Sequence, residues 1–234
     1  MKIGILGTDI FVQGKANLVD ERVKTLKAMF NAPKEVYIQA DIITDQDKLV
    51  EADGIIAPEN AKLDLIVHDM EFVETRISRC EDPAEKTLLA NFKNQLDKEG
   101  LLCDLTISDA DKELISGYSL WSIRPIYLAK PEELEDKNKL LLNGYAHFGY
   151  ISFFTAGDKD SHAWSIKKGV SACEAAGAIH SDIQKGFIRA EVTSYQDLIA
   201  DGNLSKARAN NHIRLEMKEY VVQDGDYMVI RTNK

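Results

Sequence analysis

The sequence contains only three cysteines, Cys80, Cys103 and Cys173, in 234 residues. They form no C-x-x-C pair, and the five histidines are scattered along the chain rather than grouped with them. A disulfide framework and a zinc site both need clustered ligands. We therefore expect three reduced core cysteines, no disulfide and no metal site.

Long apolar runs are also missing, although 44% of the residues are hydrophobic. No run approaches the roughly 18–20 residues that a membrane-spanning helix requires. The first apolar segment is interrupted by Asp9, which argues against a signal peptide and for a buried first strand. The sequence thus predicts a globular protein of the cytoplasm.

The N-terminal part has no excess of positive charge. Residues 1–150 hold 18 Lys and Arg against 27 Asp and Glu, whereas residues 151–234 hold 11 of each. This asymmetry predicts at least two structural units. Because an acidic surface repels phosphate, we do not expect strong binding to free nucleic acid.

The first 60 residues combine short apolar runs with one helical pattern. Runs at Lys2–Leu6, Val36–Ile43 and Gly54–Ala57 predict strands. Apolar residues spaced by four, three and four within Ala16–Phe30 predict a helix. A strand–helix–strand order is typical of a parallel α/β sheet.

The middle of the chain is helical in pattern. Residues 61–100 carry two amphipathic stretches joined at Asp82 and Pro83, which predicts an antiparallel helical hairpin. Arg124–Ala129 then returns to strand character. After Gly149 the pattern is mainly β with one or two short helices, which suits a β-grasp module.

Near the C-terminus, Gln223–Asp226 has the composition of a tight turn. It lies between two short apolar runs, Tyr220–Val222 and Tyr227–Arg231. This spacing predicts a β-hairpin whose two carboxylates serve only the turn.

Gly7, Gly14 and Lys15 are arranged like a phosphate-binding loop between a strand and a helix. The working motif, G-x-x-x-x-G-K-[ST], cradles phosphates with backbone amides and holds magnesium with its hydroxyl. Here six residues separate the two glycines, and Ala16 replaces the hydroxyl residue. Asp9 adds a negative charge where phosphate would lie. These departures predict that hydrolysis has been lost, and we identify no catalytic residue.

Five segments of the C-terminal part follow one another in a specific order. They are Ser152–Gly157, His162–Gly169, Ala176–Asp182, Lys185–Val192 and Tyr220–Asp226. This series resembles the TGS domain of the YchF subfamily of Obg-related P-loop NTPases.

The resemblance continues upstream at lower similarity. Asp64–Ile77 looks like the first arm of the family's helical insertion, and Pro125–Lys130 resembles its last nucleotide-domain strand. Lys130 stands where the family carries the Asn of its base-reading N-x-x-E motif, with Glu133 at the acidic position. The stretch of 19 residues at 41–59 is too short to hold the family's switch regions.

The resemblance implies an α/β plus α+β protein of three parts. The first is a degenerate P-loop-type domain with a parallel sheet, at residues 1–60 and 101–148. The second is a helical hairpin insertion at residues 61–100. The third is a TGS domain of the β-grasp, ubiquitin-like type at residues 149–234.

Family members are ribosome-associated regulators that hydrolyse ATP or GTP. Since every departure falls on the nucleotide machinery, we expect a non-catalytic protein without a cofactor. It would bind a ribosome, an RNA or a protein partner through its TGS domain, away from membranes. The alternative is an enzyme that still binds ATP or GTP with magnesium and hydrolyses it slowly. The residues of that vestigial site would be Gly7, Gly14, Lys15 and Lys130.

The TGS domain also offers a candidate surface for RNA or a partner. Strand alternation at Phe187–Thr193 places Phe187 and Arg189 on the outer face, where Lys168 and Lys185 could join them. The residues expected to face the core are Ile188, Ala190 and Val192. The open alternative is a charge-balanced, solvated sheet face.

Overall fold

The structure is a computed structural model that describes residues 1–233. The chain divides into two compact units. The first unit combines Met1–Ala16 with Ala40–Phe148, and the second combines Asn17–Gln39 with the C-terminal part from Gly149 onward. Each unit has its own sheet and its own apolar core.

The bounds of the strands and helices are as follows. The strands are β1 (Lys2–Ile5), β2 (Gly14–Leu18), β3 (Glu35–Val36), β4 (Ile38–Ile43), β5 (Gly54–Pro58), β6 (Ile126–Ala129), β7 (Tyr150–Ala156), β8 (Ser161–Lys167), β9 (Phe187–Ser194), β10 (Arg214–Glu216) and β11 (Asp226–Thr232). The helices are α1 (Glu21–Phe30), α2 (Lys62–Arg79), α3 (Pro83–Asp97), α4 (Asp109–Leu114), α5 (Lys137–His147), α6 (Ala172–Ile179), α7 (Ser181–Lys185), α8 (Tyr195–Asp201) and α9 (Leu204–Ala209).

The predicted parallel sheet is confirmed. Its strand order is β2-β4-β1-β5-β6, and β1 pairs in parallel with both β4 and β5. All five residues of β5 are buried, as expected for a central strand of a parallel sheet. Helix α5 packs closely on this strand, because a side chain at Gly144 would meet the Ile56 side chain at 2.5 Å.

The predicted helical hairpin is present as α2 and α3 and lies within the first unit. The Asp82 side chain accepts a hydrogen bond from the Glu85 backbone amide at 2.8 Å, and Pro83 occupies the first helical turn. Both features favour a helix start at this point. The Glu85 side chain is in turn bound by Arg76 of α2, which closes the hairpin.

The second unit contains a mixed sheet with the order β10-β9-β11-β7-β8-β3. The hairpin of β7 and β8 is confirmed by a regular register from Tyr150–Lys167 to Ala156–Ser161. The predicted hairpin at Gln223–Asp226 is wrong. Strand β11 pairs with β9 and β7 instead, and Tyr220–Val222 contributes only one isolated bridge, from Val221 to Ser171.

The assignment of residues 1–60 to the N-terminal domain is also corrected, because Asn17–Gln39 packs with the second unit. Strand β3 pairs with β8, and the Ser161 hydroxyl donates to the Val23 carbonyl at 2.9 Å. The Phe30 and Tyr227 rings stack with their centroids 5.0 Å apart. The apolar face of α1 is thus buried against C-terminal strands.

Arg22 makes polar contacts that join α1 to the C-terminal part of its unit. Its guanidinium donates to Asp20 through Nε and Nη2, and to Asp224 through Nη1 at 2.7 Å. It also lies over the Phe154 ring, 4.8 Å from the centroid. Asp224 is held in place by the Ser152 backbone amide at 2.9 Å.

Within residues 1–233, no helix is both long enough and apolar enough to cross a membrane.

We predict that Arg22→Leu lowers the free energy of unfolding by about 2–3 kcal/mol, because Asp20 and Asp224 both lose a charge-assisted partner. The measurement is urea denaturation of the full chain. Lys24→Ala on the same helix is the control, since the pair of Lys24 with Glu21 is exposed to solvent and should contribute much less. Equal losses in the two variants would contradict the prediction.

Candidate functional site

Gly7 lies in the turn that follows β1, at the carboxyl edge of the parallel sheet. Its φ of +72° is accessible mainly to glycine, and a side chain there would meet the Ala61 Cβ at 2.8 Å. A cleft of ≈ 470 Å³ opens beside it, lined by residues 5–9 together with Phe11, Thr44 and Gln46. In open α/β sheets, this edge is where ligands usually bind.

Gly14 and Lys15 do not lie at a helix N-terminus. They are the first two residues of β2, a strand at the edge of the sheet, and both are exposed. The helix predicted over Ala16–Phe30 is therefore corrected: its first residues form β2, and α1 begins only at Glu21. The structure does not bring Gly7, Gly14 and Lys15 into one phosphate-binding loop.

The N-terminus of α1 is already occupied by a carboxylate. Asp20 caps the helix by accepting the Arg22 backbone amide at 2.9 Å, and it also receives the Arg22 guanidinium. The amides at a helix N-terminus are the usual donors to a phosphate. Here the Asp20 carboxylate accepts from the helix N-terminus, in the place that a phosphate would take.

Lys130 follows β6 and is exposed at the same edge of the sheet as Gly7. Strand β5 separates β6 from β1, so the two residues leave strands about 10 Å apart. Glu133 turns back to accept the Lys130 backbone amide at 3.0 Å, and it also binds Tyr127 and Asn143. The Tyr127 hydrogen bond, with that amide, holds the pKa of Glu133 below its usual range. The acidic position is thus engaged within the chain.

The predicted surface of Lys168, Lys185, Phe187 and Arg189 is not assembled. Phe187 is buried, with 4% of its surface exposed, and it belongs to the core of the second unit. Lys168 follows β8, whereas Lys185, Phe187 and Arg189 lie before or on β9. Strands β11 and β7 separate β8 from β9, so the two groups of residues are not on neighbouring strands.

Lys168 and Lys185 also lie toward opposite ends of the sheet. Strand β8 ends beside Tyr150, the first residue of β7. Strand β9 begins at Phe187, which pairs with Thr232, the last residue of β11, and β11 runs parallel to β7. Lys168 therefore follows the end of β8 near the start of β7, whereas Lys185 precedes β9 beyond the end of β7.

A β-bulge explains why Phe187 and Ile188 exchange their expected orientations. Thr232 pairs with Phe187 while its neighbour Arg231 pairs with Arg189, which leaves Ile188 as the extra residue. One inserted residue resets the alternation of a strand. Ile188 is consequently 46% exposed, whereas Ala190 is buried as predicted.

Arg189 instead belongs to a cluster on β9, β10, β11 and α9. Arg231 donates to Glu191 Oε1 at 2.8 Å, and Arg208 donates to Glu191 Oε2 at 2.7 Å. Leu215 pairs with Glu191 across the sheet, and Arg189 pairs with Arg231. We call Arg189, Glu191, Arg208, Leu215 and Arg231 the arginine face.

The Glu191 carboxylate is the central acceptor of the arginine face. The hydrogen bond from Arg231, supported by the charge of Arg208, holds the pKa of Glu191 below its usual range. Two guanidinium groups thus bind a single ionised acid, and with Arg189 the five residues carry a net positive charge. Of these five residues, the sequence placed only Arg189 in the candidate surface.

Two acidic residues have structural functions that sequence reasoning missed. Asp224 binds Arg22 across 202 positions of sequence, so no local pattern could indicate the contact. Asp69 is fully buried on α2 and accepts the backbone amides of Trp121 and Ser122, each at 2.7 Å. The sequence offers one signal that Asp69 is buried, which is its position directly before Met70 on an apolar helix face.

No group of three or more His, Cys, Asp or Glu side chains suited to a metal ion occurs in the described part of the chain.

The position of α9, which carries Arg208, depends on a contact of Asp201 at the end of α8. Asp201 accepts a hydrogen bond from Asn210 Nδ2 at 2.5 Å and lies 2.7 Å from His212 Nδ1. The hydrogen bond to Asp201 raises the pKa of His212. The same contact lowers the pKa of Asp201.

The C-terminal part of the chain matches a protein-family model. Residues 150–233 match the model YchF-GTPase_C, described as a protein of unknown function (DUF933).

Several curated proteins are similar to the chain. The ribosome-binding ATPase YchF of Bacillus subtilis is 29% identical over 256 aligned positions, covering 80% of this chain and 70% of that protein. Its counterpart from Haemophilus influenzae is 45% identical over 96 residues, 41% of this chain and 26% of that protein. Obg-like ATPase 1 of Xenopus laevis is 39% identical over 110 residues, 44% of this chain and 28% of that protein. The last two matches thus span about a quarter of each relative.

A solved structure, that of the Schizosaccharomyces pombe YchF GTPase, has the same fold. The TM-score is 0.73 at 18% sequence identity, and the match covers 99% of this chain and 97% of that one.

We predict that His212→Gln destabilises the protein more at pH 6 than at pH 8. A raised pKa means that protonated His212 stabilises the folded state below its unfolded pKa of about 6.5 and that this contribution is lost as the pH rises through the folded pKa. Urea denaturation at both pH values measures the difference between variant and wild type. Asp201→Asn should remove the same pH dependence, and a difference that does not change with pH would contradict the prediction.

Proposed function

The chain belongs to the YchF family, and on that basis we propose that it is a ribosome-binding protein that does not hydrolyse ATP or GTP. The relatives from Bacillus subtilis and Haemophilus influenzae are called ribosome-binding ATPases, which supports a ribosome as the partner. In this proposal, residues 149–233 are the family's TGS domain and bind the partner. The protein acts in the cytoplasm, where ribosomes are found.

One observation carries the loss of hydrolysis: a strand stands where a phosphate-binding loop would lead into a helix. Gly14 and Lys15 begin β2, and the next helix is capped by Asp20. Phosphoryl transfer depends on backbone amides, a Lys and a magnesium ligand arranged around one phosphate chain. Ala16 cannot supply that magnesium ligand, and Asp9 adds a negative charge to the cleft.

The second candidate is a protein that still binds ATP or GTP with magnesium and hydrolyses it slowly. The cleft beside Gly7 favours it, because ≈ 470 Å³ at the carboxyl edge of a parallel sheet is room for part of a nucleotide. Within the first proposal the same cleft takes no triphosphate, because the Asp9 carboxylate in its lining repels phosphate. Direct measurement separates the two candidates.

We predict no magnesium-dependent ATP or GTP turnover above that of a Lys15→Ala variant. We also predict no thermal stabilisation by ATP or GTP, whereas a ligand at 100 times its dissociation constant would add about 2.7 kcal/mol. The Bacillus subtilis YchF protein, assayed in parallel, is the control for the method. Turnover that disappears in Lys15→Ala would overturn the first candidate and establish the second.

We further predict that the wild-type protein co-sediments with ribosomes and that raising the salt concentration releases it, since the contact would involve charged groups. The measurement is pelleting through a sucrose cushion at several salt concentrations. The same protein without ribosomes is the control for aggregation. Absence of the protein from the ribosome pellet at low salt would contradict ribosome binding.

A further inference from the structure

Two arginines face each other across the sheet of the second unit. Arg189 of β9 and Arg231 of β11 are direct partners in the antiparallel register. Like charges in that position destabilise a sheet unless an anion lies between them. Arg231 has Glu191 as a partner, but in residues 1–233 no hydrogen bond or ion pair holds the Arg189 side chain.

Glu191 orients the guanidinium groups of Arg208 and Arg231 but does not use all of their N–H donors. Arg208 uses one nitrogen and Arg231 two in binding Glu191, out of five N–H groups on each side chain. Both side chains remain more than half exposed. Guanidinium groups held in this way are suited to binding carboxylates in a bidentate manner.

Apolar side chains lie beside these charges at the edge of the sheet. Strand β10 is the last strand on that side, with β9 as its neighbour. Leu215, in its centre, and Met217, just beyond its end, are each 59% exposed. An edge strand presents backbone donors and acceptors to a further strand.

We propose that the outer edge of β10 and the arginine face receive an extended, acidic segment of a partner protein. Its carboxylates bind Arg189, Arg208 and Arg231, its apolar side chains cover Leu215, and its backbone adds to the edge of β10. A single-stranded RNA would use the arginines, but it would leave Leu215 unexplained. It would also lack an aromatic stacking platform here, because Phe187 is buried.

The test uses the full chain and a fluorescein-labelled peptide of five Glu-Val repeats, read by fluorescence anisotropy. A peptide of five Lys-Val repeats and a uridine decanucleotide serve as comparison probes. We expect the wild-type protein to bind the acidic peptide, more weakly as salt increases. It should bind both comparison probes at least ten-fold more weakly.

The decisive variant is Arg189→Glu with Arg231→Gln, which should weaken binding of the acidic peptide at least ten-fold. The matched control is Lys168→Glu with Lys185→Gln, which makes the same charge change on exposed residues of the same unit. The control should bind within two-fold of wild type. Thermal unfolding of each protein shows whether it is folded. Arg189→Glu alone can replace the double variant, because the Arg189 side chain makes no polar contact with another residue of 1–233.

A third variant, Leu215→Ser, tests the apolar part of the surface. It should weaken binding of the Glu-Val peptide about three-fold or more and leave binding of a Glu-Ser peptide unchanged. The proposal is overturned if the acidic peptide does not bind, or if the arginine variant and the lysine control bind it equally. Tighter binding of the uridine decanucleotide, lost in the arginine variant, would overturn it in favour of RNA. None of these outcomes depends on whether ribosomes bind the protein.

Discussion

The guanidinium of Arg22 holds the start of α1 against the C-terminal part of its unit and limits what the helix N-terminus can bind. It joins Asp20 at the start of the helix to Asp224, 202 positions later, and lies over Phe154. Because Asp20 already neutralises the helix N-terminus, a phosphate there would meet a carboxylate rather than free amides. The same contact also joins α1 to the C-terminal part of the second unit.

A single inserted residue has a comparable effect on the second sheet. The bulge at Ile188 turns Phe187 into the core and leaves Arg189 opposite Arg231. The aromatic group that could have stacked on a base is thereby removed from the surface. What remains beside the edge strand is a set of arginines organised by Glu191. This chemistry is better matched to carboxylates with apolar neighbours than to unstacked bases.

The elements that could be predicted from the sequence are those whose burial repeats with a local period. Strands β1, β5, β7 and β8 and the hairpin of α2 and α3 follow from apolar spacing and from the cap at Asp82 and Pro83. Ala16–Phe30 was predicted as one helix because an apolar spacing of three and four extends over it. The strand at its beginning is stabilised by pairing in the sheet, which local propensity does not encode.

The candidate site divides in the same way. The sequence by itself determined the parallel sheet, the β-rich C-terminal part, the departures from a phosphate-binding motif and the exposure of Arg189, since each depends on residue type and short-range spacing. Only the tertiary structure decided that α1 joins the C-terminal strands, that Lys168 and Lys185 lie apart, and that Arg208 and Arg231 meet at Glu191. These outcomes depend on strand register and on pairing between distant residues, and neither leaves a periodic trace in the chain.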